Sequence, residues 1–206
     1  MASFLTYTTL FSLFSTFSIT IPAAFSQQFA EEIATMRLEK VSHLHFYFHD
    51  ILNGKNPTAT QIAGPKKGHF GVTMMVDDAL TEGPEPSSKL LGRAQGLYAL
   101  SAQQEPALLM VMNFAFMEGK YNGSSISVLG RNPVMHAVRE MPIVGGSGLF
   151  RYARGYALAH TVWFDGKTGD AIVEYNVSVL HFWNLCERSH GKVVFFSFYA
   201  SVAVVF

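Results

Sequence analysis

The chain has 206 residues, of which 49% are hydrophobic and only 15% charged, with a formal net charge of +0. That length and composition fit one globular domain of ordinary size and exclude the basic excess that a nucleic-acid partner requires. A single cysteine, Cys186, excludes an intrachain disulfide, so the fold rests on its core.

Residues 1–26 read as a secretory signal: residues 4–24 carry no charged side chain, and Ala24-Phe25-Ser26 supplies a small-x-small cleavage pattern. The expected product is extracellular, and two acceptor sequons agree with that, Asn122-Gly123-Ser124 and Asn176-Val177-Ser178. Residues 27–42 form a charged N-terminal arm, residues 43–182 the folded domain, and residues 183–206 an atypical apolar tail too short to span a membrane.

The segment VSHLHFYFHD, residues 41–50, reads as a strand at its centre. Alternation places Leu44, Phe46, Phe48 and Asp50 on one face and His43, His45, Tyr47 and His49 on the other. A carboxylate on an apolar face has a raised pKa and can hand over a proton near neutrality. The sequence by itself favours the other reading, in which Asp50 caps the turn Ile51-Leu52-Asn53-Gly54, since Asp before Asn-Gly is common turn chemistry; both readings stay open. The His-x-His pair falls short of a metal site, because no further ligand completes it at a recognisable spacing, and surface or interface positions are expected for these histidines.

Further candidate strands cover 70–76, 90–101, 107–117, 124–129, 134–144, 149–164 and 170–182, separated by turn signals such as Asn53-Gly54, Gly83-Pro84, Asn122-Gly123 and Gly145-Gly146. With the first, these make eight short strands, which predicts an antiparallel sandwich or closed barrel. Two of them carry small residues on one face: Leu90, Gly92, Ala94, Gly96 and Tyr98, and then Arg151, Ala153, Gly155, Ala157, Ala159 and Thr161. Pointing inward, such faces would line a cavity with Tyr98 and Thr161 as polar handles; alternatively they let a neighbouring sheet or subunit approach closely. No phosphate loop, nucleophile elbow, CxxC or redox cofactor motif is present, and no cofactor or metal is expected.

Several of these segments together resemble the plant dirigent proteins. They are HFYFHDIL at 45–52, GRAQG at 92–96, VGGSG at 144–148 and ARG at 153–155, in the family's order. The resemblance implies an eight-stranded antiparallel β-barrel of the allene oxide cyclase-like kind, secreted to the plant apoplast and assembled as a homo-oligomer, a trimer or a dimer. It implies a protein that oxidises nothing itself. A separate laccase or peroxidase makes phenoxy radicals from coniferyl alcohol or related phenols, and the dirigent protein directs their stereoselective coupling in lignan-type phenylpropanoid biosynthesis. The alternative implied by some relatives is an acid/base lyase acting on a quinone-methide-type intermediate, as in pterocarpan formation. A passive carrier of aromatic ligands is a third option. By motif, Asp50 and Arg139 take catalytic roles, and Tyr98, Asn132, Thr161, Phe46 and Phe48 contact the substrate. Asn132, in LGRNP at 129–133, departs from the aspartate of pinoresinol-forming members, and an amide cannot take a proton from a bis-quinone methide.

Overall fold

The structure is a computed structural model that describes residues 39–65 and 70–182. The described residues form one antiparallel sheet of β1 (Glu39–Asp50), β2 (Ala59–Ala63), β3 (Thr73–Thr81), β4 (Leu90–Leu100), β5 (Leu108–Phe116), β6 (Ser125–Asn132), β7 (Arg139–Ser147), β8 (Arg154–Phe164) and β9 (Ala171–Phe182). The order is β1-β9-β8-β7-β6-β5-β4-β3-β2, and a β1–β3 pairing closes eight strands into the expected barrel. Closure removes the edges that an open sheet would expose.

The short β2 is not a further stave. β1 pairs with the end of β3 through Tyr47↔Thr81, Phe48↔Leu80 and His49↔Ala79, whereas β2 pairs with its start through Ala59↔Val76 and Thr60↔Met75. Both lie along the same edge of β3. Between them residues 51–58 leave the sheet and return, and the Thr58 and Ala59 N–H groups close the excursion on the Ile51 carbonyl at 2.8 and 3.1 Å. The barrel wall is therefore interrupted where β1 stops. The ladder ends at His49↔Ala79, and Asp50 and Asp78 follow on the inward side, where the charge of Asp50 is felt at Asp78.

Alternation fills the interior with Phe46, Met112, Phe114, Ile126, Tyr175 and Val177, all at most 2% exposed. Phe46 stacks on Tyr175 with ring centroids 5.6 Å apart and meets Phe114 edge-on at 5.1 Å, an arrangement favoured by the ring quadrupoles. Gly96 and Gly155 interrupt β4 and β8 with φ of 157° and 154°. A Cβ on either would stand 2.1 Å from a carbonyl oxygen of the adjacent strand, that of Val111 or Ser178. The small faces thus do two things: Ala94, Ala157 and Ala159 point inward and are fully buried, while the glycines let neighbouring backbones close in. Gly155→Ala is expected to destabilise the barrel by roughly 1–3 kcal/mol. Urea unfolding measures it, and an unchanged midpoint would mean that the backbone relaxes freely there.

Several boundaries differ from those expected. β1 starts at Glu39, so the last residues assigned to the arm belong to the barrel. β2 was not expected, because only Ala59 of its five residues is buried and no alternation is visible. β3 runs to Thr81 instead of ending at 76, since its two aspartates interrupt the apolar pattern. β7 begins at Arg139, not 134, because residues 133–136 make a turn closed by the His136 N–H on the Pro133 carbonyl at 2.9 Å. The stretch expected to be strand from 149 opens with a 3₁₀ turn, Gly148–Phe150, and Tyr152 at φ 62°, so β8 starts at Arg154. Leu90 and Arg151 are accordingly exposed and do not belong to the inward faces. His49 is buried, contrary to expectation, and its Nε2 lies 2.7 Å from Thr81 Oγ1. The signal, arm residues 27–38 and the tail 183–206 lie outside the described residues.

Candidate functional site

Antiparallel order brings the C-terminal ends of β1, β4, β6 and β8 and the N-terminal ends of β3, β5, β7 and β9 to one mouth of the barrel. Asp50, Tyr98, Asn132, Arg139 and Thr161 stand at five of those ends. They are far apart in the chain, and the barrel gathers them.

Tyr98 pairs with Met74 and shares the inward face with Ala94. Its hydroxyl donates to Asp50 Oδ2 at 2.9 Å. Asp50 Oδ1 and both oxygens of Asp78 are buried without a hydrogen-bond partner of good geometry. Burial pushes the Asp50 carboxyl up to about 6, a rise tempered by the Tyr98 hydrogen bond and reinforced by the charge of Asp170. Burial pushes Asp78 higher, to about 8; the Asp50 charge adds to this, and the nearby Thr58 hydroxyl offsets part of it. Burial, followed by the Asp50 charge, holds the Tyr98 phenol well above its ordinary range, so it stays a donor.

In the order of staves, β6 and β7 stand across the barrel from β1. There the Arg139 side chain is 3% exposed, and its Nε donates to Asn132 Oδ1 at 3.1 Å. Burial lowers the guanidinium pKa, and the Tyr175 phenol opposes that. An arginine nonetheless remains charged at any working pH. Its partner here is a neutral amide, so the positive charge is not cancelled by that contact. The mouth consequently has an acidic wall and a cationic wall.

A cleft of about 440 Å³ opens beside the acidic wall, lined by Leu52, Pro57, Ala59, Gln61, Met74 and Leu100 among others. It sits at the interruption between β1 and β2, with Met74 adjacent to Tyr98. The sequence placed the cavity between the small faces of β4 and β8; no β8 residue lines this cleft. Asp170 Oδ1 accepts the Leu52 N–H at 2.8 Å and the Asn53 N–H at 3.3 Å, which ties the loop after β1 to the loop before β9.

A sequence model described as dirigent-like protein matches residues 41–180. The chain belongs to the dirigent family. It is 57% identical over 148 residues to Dirigent protein 23 of Arabidopsis thaliana, covering 69% of this chain and 79% of that protein. It is 46% identical over 168 residues to Pterocarpan synthase 1 of Glycyrrhiza echinata, covering 79% of this chain and 89% of that protein. The solved structure of a pterocarpan synthase dirigent protein superposes with a TM-score of 0.73 at 46% identity, covering 77% of this chain and all of that one.

Within this dirigent barrel the sequence-derived candidates separate into two groups. Asp50 with Tyr98 and Asn132 with Arg139 form two buried polar pairs on opposite walls of the mouth, and Thr161 faces inward there, half-buried and paired with Val173. Phe46 belongs to the packed floor, with Tyr175 and Phe114 against its ring, and Phe48 contacts Tyr175 above it at 6.0 Å. Asn122 and Asn176 are both exposed, the first in the turn before β6 and the second midway along β9 on the outer face. Asp78 was missed. Its only sequence signal is parity: in TMMVDDALT it alternates in step with Met74, Val76 and Leu80, while Asp77 does not.

Proposed function

We propose that this dirigent protein is an acid/base catalyst that closes a ring through a quinone-methide-type intermediate, a reading supported by its similarity to relatives named pterocarpan synthase. The observation that carries the proposal is a carboxyl that can stay uncharged, Asp50, buried beside Tyr98 and set across the barrel from a buried arginine, Arg139, whose Nε donates to the neutral amide of Asn132. In this mechanism Arg139 holds the phenol oxygen of an isoflavanol as a phenolate. Protonated Asp50 gives its proton to the leaving hydroxyl, the C–O bond breaks, and water departs. The quinone methide is then attacked by a second hydroxyl of the same molecule, whose proton returns to Asp50 as the phenolate reforms. Atoms and charges balance without an oxidant. A positioned acid contributes about 10²–10⁴-fold and a preorganised cation a similar order. The decisive test is incubation with an isoflavanol and no oxidant. A dehydrated, ring-closed product supports the proposal, and its absence across isoflavanol stereoisomers overturns it.

The second reading is stereoselective coupling of phenoxy radicals made by a separate laccase or peroxidase, and family membership supports it. Radical coupling needs orientation more than barrier lowering: about 1.4 kcal/mol between two poses changes their ratio tenfold. Coniferyl alcohol with a separate oxidase, followed by chiral chromatography, decides it; a racemic product would count against this substrate.

Asn132 distinguishes the two chemistries. Asn132→Asp places a carboxylate against the Arg139 Nε, and the resulting ion pair neutralises the cation that holds the phenolate. A loss of roughly tenfold or more in kcat for ring closure is expected, at the scale of one removed electrostatic contact. Steady-state kinetics measure it, and an unchanged kcat would remove Arg139 from the mechanism.

The setting we propose is the apoplast, reached through the signal at residues 1–26, with glycans at Asn122 and Asn176. The outward side chains of Met75, Leu97, Val111 and Leu129 stand side by side across β3 to β6, and this apolar row supports self-assembly, a trimer by resemblance. Light scattering of the secreted product reports the copy number.

A further inference from the structure

We infer that Asp78 and Asp50 share one proton across the gap in the barrel wall, with Asp78 acting as the reservoir that recharges Asp50. The sharing stands on geometry alone; the use of the proton rests on the acid/base mechanism proposed above.

β1 ends at Asp50 because residues 51–58 leave the sheet; the β1–β3 ladder runs to His49↔Ala79, parity puts Asp50 and Asp78 on the inward side just past its end, and the charge of Asp50 is felt at Asp78. Tyr98 occupies Asp50 Oδ2 and leaves Oδ1. That oxygen and both oxygens of Asp78 are buried without a hydrogen-bond partner of good geometry, the Thr58 hydroxyl lying close enough to Asp78 only to offset part of the cost. Three orphaned acceptor oxygens at one seam would be costly if both carboxyls were ionised. A single proton on Asp78, donated to the open oxygen of Asp50, relieves most of that cost. Asp78 is 0% exposed, so a substrate at the mouth meets Asp50 and not Asp78. Asp78 is therefore a positioning residue that acts through Asp50.

The surrounding charges agree with this assignment. From β4 come Tyr98, which stays neutral, and Arg93, which slightly favours ionised Asp78; from β3 itself comes Asp77, which opposes it. From β9 comes Tyr175, also held neutral by burial, with Arg139 acting on it from β7. Asp170, from the loop before β9, raises Asp50. The pair thus loses its first proton near the value of Asp50, about 6, and keeps the second to about 8. Two interacting carboxyls titrate as a pair in two steps.

In the catalytic cycle Asp78 passes the shared proton to Asp50, Asp50 gives it to the leaving hydroxyl, and the proton released by the attacking hydroxyl returns to the pair. No electron changes hands and no co-reactant is needed.

The experiment is a carboxyl-carbon NMR titration of protein labelled in aspartate, for wild type, Asp78→Asn and Asp50→Asn, together with the pH dependence of kcat. Wild type is expected to show two upward-shifted, mutually dependent steps. Asp78→Asn should lose the upper one, and in Asp50→Asn the Asp78 step should move acidward because a negative neighbour is gone. With an isoflavanol, Asp78→Asn should match wild type within about twofold near pH 5, where Asp50 carries its own proton. It should fall about tenfold near pH 7, because the basic limb moves from near 8 to near 6. A purely structural role would lower kcat equally at every pH, and that result overturns the reservoir. Retention of the upper step in Asp78→Asn, or an unmoved Asp78 step in Asp50→Asn, overturns the shared proton. If Asp78→Asn fails to fold, the wild-type and Asp50→Asn titrations still decide the coupling. Coupled titration in a chain that turns over no isoflavanol overturns the mechanism while leaving the shared proton supported.

Discussion

Asp50→Asn is expected to lower kcat for isoflavanol ring closure by about 10²–10⁴-fold and to leave KM within a few-fold. The amide keeps the shape of the carboxyl and still accepts the Tyr98 hydroxyl, so the acidic wall and the cleft beside it persist. What it loses is the proton. Asn cannot protonate a leaving hydroxyl, and Asp78 behind it is too buried to reach the substrate in its place. Arg139, on the far wall, is untouched and continues to hold the phenolate, which is why binding survives. The same variant separates the two proposed chemistries. Orientation of two radicals needs no proton donor, so stereoselective coupling would change by no more than the loss of one anchoring contact. Parallel assays of ring closure and of coupling with a separate oxidase make the comparison. Wild-type ring-closure rates in Asp50→Asn would end the assignment of Asp50.

Much of this architecture was legible in the sequence because a half-buried strand writes its face into alternate positions. Phe46, Phe48 and Asp50 all point as alternation requires, and so do Ala94, Tyr98, Ala157 and Ala159. The resemblance to a known family then placed Arg139 and Asn132 at the mouth, where periodicity alone said nothing of them. The failures have specific causes. β2 has no apolar alternation because one face of it borders an open cleft. His49 follows the parity of the outer face yet is buried, because the β1–β3 closure sets Thr81 against it, a long-range contact with no local signal. The small faces of β4 and β8 point inward as parity requires, and Ala94, Ala157 and Ala159 share the core with the aromatic side chains of β1, β5 and β9. Asp78 was hidden for a different reason. Two adjacent aspartates read as a solvated turn, and only knowledge that the strand runs on to Thr81 shows that one of them faces inward.

The carboxyl pair also makes stability depend on pH, and in a direction opposite to that of most proteins. Asp50 and Asp78 both start from 3.8 and are raised in the fold, to about 6 and about 8. A raised carboxyl favours the protonated fold. Its contribution is fully present below about pH 4 and is lost as pH rises through the folded value. At about 1.4 kcal/mol per pKa unit, Asp50 alone accounts for roughly 3 kcal/mol, and Asp78 for more. Groups of the opposite sign act lower on the scale. His49 is lowered by burial and therefore weakens the fold in acid. Asp77 and Glu174 are depressed by hydrogen bonds to Arg93 and His45, so they also favour higher pH, but they lie near the surface and solvent screens them. Asp77 and Glu174 finish titrating below the neutral range, whereas His49, whose unfolded-state value is the ordinary 6.5, still opposes the carboxyl pair near that pH. Between about 6.5 and 8.5 the loss of the Asp78 proton dominates, and the urea midpoint of the wild-type protein is expected to fall steadily across that window. Asp50→Asn removes the repelling charge and shifts the fall to lower pH. The double variant Asp50→Asn with Asp78→Asn flattens it, because neither amide titrates. A midpoint that stays constant from 6.5 to 8.5 in the wild type would mean that both carboxyls are already ionised in the fold, and the proton held at the gap would not exist.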